Sequence, residues 1–168
     1  MQAAPHLQSF RSYFFVSQSN LALFPPRSNV RDVKAASFTV KRTRPLFSSR
    51  VPAGFPSPSE DYIEGRLDLN RYLIKHPVAT FYVRVSGDSM IGANIQEGDL
   101  LVVDRAEEAQ DGNIIVARIF NELCIKRFRI IGERLWLFSE NERYNPVEIT
   151  EAMDFEVWGK VLYSIHQH

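Results

Sequence analysis

The stretch VSGDSMIGANIQEGDLLVVD, from Val85 to Asp104, decides how the chain is read. Apolar, β-branched residues bracket it, and two Gly-Asp pairs, Gly87-Asp88 and Gly98-Asp99, punctuate it. Glycine supplies backbone conformations with positive φ, and aspartate closes local turns through its side chain. Turn formation alone accounts for both pairs. The first pair also sets Ser89 in a tight Gly-Asp-Ser-Met turn, where a nucleophile would be placed. A serine hydroxyl is weakly nucleophilic until a base removes its proton, so the rest of the chain must supply one.

Working outward from that turn, short apolar runs bounded by turn residues recur along the body. They predict strands over Thr80 to Val85, Leu100 to Val103, Ile114 to Phe120, Leu123 to Ile131, Leu135 to Phe138 and Phe155 to Ile165, with Asn121-Glu122 as a hairpin connection. Asp68 can cap one short helix, Leu69 to Lys75, which stops before Pro77. The expected fold is mainly β, of short strands with one short helix.

Lysine offers a better base than histidine. His6, His76, His166 and His168 have contexts that suggest structural or surface roles. In LCIKRFRI, strand alternation puts Lys126 on the same face as Cys124 and Phe128, an apolar setting for an ammonium group. At pH ~7.4 an ordinary lysine, with a pKa of about 10.4, is neutral in roughly one molecule in a thousand. Burial disfavours the charged form, and a pKa of about 7 to 8 would make Lys126 a working base. A surface lysine whose stem merely covers apolar neighbours is the plain alternative.

The segment before the body differs in kind. Of 20 basic and 20 acidic residues in the chain, residues 1–53 hold eight basic residues and a single acid, Asp32. They show no sustained helical or strand periodicity, and Pro25-Pro26 interrupts them. Residues 1–53 therefore read as a flexible, extended arm with one short strand, Ala36 to Val40, and residues 54–168 as the β-rich domain. That argues against a helix-turn-helix DNA-binding head, which would need about three amphipathic helices in this space. Across the junction, RVPAGFPSPSEDY sets prolines 52, 56 and 58 around Ala53-Gly54. The backbone there is held extended, as a protease cleft accepts it and as a plain linker also is.

The 168 residues suffice for one ordinary domain, and 45% hydrophobic with 12% aromatic residues is the composition of a packed one. A single cysteine forms no internal disulfide and fits a reducing compartment. No run reaches the roughly 20 apolar residues of a membrane span, and the early apolar patches are too short for a secretory signal. The Arg-bearing, Ser-rich start resembles a transit peptide in composition.

In order and spacing, AGFPSPSEDY, VSGDSM, GDLLVVD and CIKRF resemble UmuD-type proteins, the shorter relatives of the LexA repressor among the Ser-Lys self-cleaving peptidases. The resemblance runs from about Pro52 to the C-terminus. It implies a LexA-like β-rich peptidase domain, commonly a homodimer, with Ser89 as nucleophile and Lys126 as general base. It implies that Ala53-Gly54 is the bond cut and that the backbone N–H groups of Ser89 and Met90, or Asp88, hold the oxyanion. It further implies no metal or other cofactor, a cytoplasmic setting in the bacterial DNA-damage response, and cleavage stimulated by RecA filaments on single-stranded DNA. The trimmed form would join a UmuC-type translesion polymerase.

Three features depart from the family pattern. Residues 1–29 have no counterpart, which a true start at Val30 or Val33 would explain. Pro52 precedes the scissile bond, and Asn113 stands where relatives carry Asp. Three alternatives remain open on the sequence: a polymerase-binding module that does not cleave, a signal-peptidase-type enzyme, and a DNA-binding arm using Lys41, Arg42 and Arg44.

Overall fold

A computed structural model of the protein describes residues 30–35, 43–47 and 63–168. The Ala53-Gly54 bond, the strand expected over Ala36 to Val40, Lys41, Arg42 and residues 1–29 lie outside the described residues. Among the described residues the architecture is mainly β, with one short helix, as the turn-punctuated apolar runs indicate. Among the described residues no helix is long and apolar enough to cross a membrane.

Among the described residues ten strands form two sheets. In chain order they are β1 (Val30–Ala35), β2 (Arg44–Phe47), β3 (Ile63–Leu67), β4 (Thr80–Val85), β5 (Leu100–Asp104), β6 (Ile114–Ile119), β7 (Glu122–Ile131), β8 (Arg134–Phe138), β9 (Val147–Ile149) and β10 (Phe155–Ile165). The large sheet runs β1-β4-β5-β10-β6-β7-β8-β9, and β2 pairs with β3 separately. All pairings are antiparallel.

Both faces of the large sheet are covered, so its central strands are apolar at successive positions. Val83, Leu101, Val103, Val116, Leu123 and Ile125 enter one core cluster with Met90 and Trp158. Ile115, Ala117, Phe128, Leu135, Leu137 and Phe155 enter a second cluster. Val116 and its neighbours Ile115 and Ala117 thus point to opposite sides, as a pleated strand requires. Gly159 lies within β10 because a Cβ there would stand 2.8 Å from Val103 Cγ1 and 3.0 Å from the Asp104 carbonyl oxygen.

The helix α1, Leu69–Leu73, begins at Asp68, whose carboxylate accepts the Asn70 N–H at 3.1 Å. It ends two residues earlier than the proline alone requires. The hairpin between β6 and β7 turns at Phe120-Asn121, one residue before the expected Asn121-Glu122. Both residues have positive φ, 46° and 66°, the backbone that a two-residue hairpin of this twist demands. Four strands, β1, β2, β3 and β9, were not expected from the sequence. β1 lies just before the expected Ala36 to Val40 and pairs with β4, Val33 opposite Val83 and Ala35 opposite Phe81. The segment before the body therefore contributes strands to both sheets.

Candidate active site

Ser89 is half-buried in the turn that follows β4. The second Gly-Asp pair closes the loop carrying it. The Val85 N–H donates to the Asp99 carbonyl at 2.9 Å, and the Gly98 N–H donates back to the Val85 carbonyl at 3.0 Å. Gly87 and Gly98, with φ of 86° and 91°, take the backbone conformations that side chains resist. The buried Asp99 carboxylate accepts the Gln96 N–H at 2.9 Å and faces His166 Nδ1 at 2.5 Å. Beyond the serine, the Met90 side chain is buried in the core and a single 3₁₀ turn, Ile91–Ala93, leads back toward β5. Among the described residues the Ser89 and Met90 N–H groups donate to no backbone carbonyl.

A segment the sequence did not mark, residues 140–144, clasps this turn from outside. The Gly92 N–H donates to the Glu140 carbonyl at 2.7 Å, and Asn141 Nδ2 donates to the Asp88 carbonyl at 3.0 Å. The Tyr144 hydroxyl donates to Asp88 Oδ1 at 2.5 Å, while the Arg143 guanidinium pairs with Oδ2. The Tyr144 hydrogen bond, followed by the Arg143 charge, holds the Asp88 carboxyl below its ordinary pKa. The same bond raises that of the Tyr144 phenol. SENERYNP is polar and ends in proline, so it reads as a loop; its pairing with Asp88 has no signature in spacing.

Lys126 lies on β7, half-buried, opposite Ile115 of β6. Cys124 packs against the second core cluster beside Phe128, so Lys126 lies on an apolar face, as expected. Burial pushes the Lys126 ammonium below its ordinary pKa, opposed by the neighbouring Cys124. Burial drives the Cys124 thiol up to about 11. Arg127, next along the strand, pairs through Nε with Glu140 and donates from Nη1 to the Gly112 carbonyl at 2.6 Å.

Tyr144 links the two halves. Lys126 Nζ stands 5.7 Å from the centroid of its ring, and its hydroxyl holds the residue preceding Ser89. The described histidines face other groups: His76 Nδ1 lies 2.8 Å from the buried Asp104, His166 faces Asp99, and the His168 ring packs 4.9 Å from that of His166. His6 lies outside the described residues. Asn113 caps its own turn, its side-chain oxygen accepting the Gln110 N–H at 2.9 Å. An aspartate could make the same bond.

Residues 45–162 match the family described as Peptidase S24-like, a span that takes in Ser89, Lys126 and the 140–144 segment. Protein SamA of Salmonella typhimurium is 44% identical over 128 residues, 76% of this chain and 89% of SamA. Protein MucA of Escherichia coli is 40% identical over 125 residues, 74% of this chain and 85% of MucA. LexA repressor 1 of Pseudomonas putida is 42% identical over 100 residues, 60% of this chain and 49% of the repressor, so that match takes in about half of the repressor. The family match favours kinship with the LexA-like proteins over the signal-peptidase alternative. The chain belongs to the Peptidase S24-like family, with the UmuD-type and LexA proteins that its motifs resemble.

Proposed function

We propose that the protein is a serine peptidase whose substrate is its own Ala53-Gly54 bond, with Ser89 as nucleophile and Lys126 as general base. The observation that carries this reading is the convergence of the Ser89 turn and the half-buried Lys126 on the same Tyr144 side chain. β2 and β3 add support, because the predicted bond lies in the connection between two paired strands.

In its neutral form Lys126 Nζ takes the proton of Ser89 Oγ, which attacks the Ala53 carbonyl carbon. The N–H groups of Ser89 and Met90 stabilise the oxyanion, a role that preorganised backbone donors fill at little reorganisation cost. Collapse of the tetrahedral intermediate breaks the Ala53-Gly54 bond. Lys126 returns the proton to the leaving amine of Gly54, and water then hydrolyses the Ser89 ester by the same base. The depressed Lys126 pKa supports this role, since it raises the fraction of base present near neutral pH.

By its kinship with UmuD-type proteins and LexA, the setting is the cytoplasmic SOS response. A RecA filament on single-stranded DNA stimulates cleavage, and the trimmed protein acts as a homodimer with a UmuC-type translesion polymerase. The test is incubation of the full chain with and without a RecA filament, beside Ser89→Ala. The account expects filament-stimulated release of the arm in the native chain alone. Release that persists in Ser89→Ala would assign the cut to another protease, and no release under either condition would favour a binding module.

A further inference from the structure

Tyr144 touches the environments of both proposed catalytic residues, although it lies in neither motif. Its hydroxyl donates to Asp88 Oδ1 at 2.5 Å, one residue before Ser89, and its ring centroid is 5.7 Å from Lys126 Nζ. We propose that Tyr144 is a positioning residue of the dyad, its hydroxyl fixing the nucleophile turn through Asp88 and its ring face bearing on the Lys126 ammonium. The proposal rests on the reading of Ser89 and Lys126 given above.

The two contacts have separable consequences. An aromatic face within about 6 Å of a cation favours its charged form, whereas burial favours the neutral amine. The ring therefore limits how far burial depresses Lys126, keeping it a strong enough base to take a hydroxyl proton. Lys126 is bordered by groups from its own and neighbouring elements. Cys124 lies on its own strand, Ile115 faces it from β6, and Tyr144 comes from the 140–144 segment. The Asp88 carboxylate lies beyond the Tyr144 hydroxyl, and Arg143 pairs with its other oxygen. The hydroxyl bond acts on geometry instead. With Asn141 and the Gly92 amide, it holds the turn against residues 140–144, and a nucleophile displaced by about 1 Å loses much of its reactivity.

Two substitutions separate these roles. Tyr144→Phe keeps the ring and removes the hydroxyl, and Tyr144→Leu removes both. The Lys126 Nζ titration is followed by nitrogen NMR in the full chain carrying Ser89→Ala, so that no cutting intervenes. Self-cleavage against pH is measured in chains that retain Ser89. The expected Lys126 midpoint is unchanged in Tyr144→Phe and about half a pH unit lower in Tyr144→Leu. The plateau rate of cleavage falls about tenfold in both variants, and only Tyr144→Leu moves its pH midpoint. A Lys126 midpoint unmoved by Tyr144→Leu, or a Tyr144→Phe chain that cleaves at the native plateau, overturns the proposal. Failure of the native chain to cleave at any pH instead overturns the dyad reading on which it rests.

Discussion

Gly92 donates its N–H to the Glu140 carbonyl at 2.7 Å, and a Cβ on Gly92 would stand 2.6 Å from that same oxygen. The turn after Ser89 is thus seated on residues 140–144 with no space for a side chain. Gly92→Ala must push the two segments apart. Its expected effect is a destabilisation of about 1 to 3 kcal/mol and a loss of self-cleavage larger than the lost stability explains. Denaturant unfolding and cleavage rate, measured on the same chain, check both parts.

Gly159 provides the contrasting case. A Cβ there meets Val103 and the Asp104 carbonyl inside the sheet, and none of these nearest atoms belongs to the residues that clasp Ser89. Gly159→Ala is expected to destabilise by a similar amount, about 1 to 3 kcal/mol. Below its unfolding temperature its cleavage rate should match that of the native chain. A large rate loss in a folded Gly159→Ala chain would show that cleavage reports stability alone.

Burial of Lys126 makes stability depend on pH. Its folded-state pKa lies below the ordinary 10.5, so between the two values the unfolded chain binds more protons and stability rises with pH. At neutral pH the buried ammonium is a destabilising group. In a Ser89→Ala background, Lys126→Met should therefore raise stability at pH 7, by an amount that shrinks as pH climbs toward 10.5. Urea titrations at a series of pH values measure the difference, and a gain that grows with pH contradicts the assignment.

The Cys124 thiol, raised from 9.0 to about 11 by burial, carries about a hundredfold less thiolate near pH 8 than its ordinary value would give. Thiolate is the reactive form. Labelling by a disulfide reagent at pH 8 should accordingly be far slower in the folded chain than in urea. Equal rates would mean that the β7 face bearing Lys126 is open to solvent.

Much of this architecture was legible because local signals and burial agree. Thr80 to Val85 and Phe155 to Ile165 are apolar runs bounded by turn residues, and both are strands with those ends. Lys126 could be placed on the Cys124 and Phe128 face by counting alternate residues along one strand. The hairpin at Phe120-Asn121 was shifted by one because phenylalanine gives no sign that it will accept a positive φ. β9 is only three residues long, Val147–Ile149, and gains its order from pairing with β8. The clasp by Asn141, Arg143 and Tyr144 was hidden for a related reason. Each reaches a residue more than 50 positions away, and no local pattern encodes a contact of that range.

The central claim is that Lys126 acts as base for Ser89 in cutting Ala53-Gly54. The most direct measurement is intact mass of the full chain incubated from about pH 7 to 10, with Lys126→Ala beside it, a range that approaches the ordinary lysine pKa from below. The account predicts a fragment beginning at Gly54 whose rate of appearance rises with pH to a midpoint below 10.5, and which Lys126→Ala does not produce. The same fragment arising from Lys126→Ala at the native rate would contradict it.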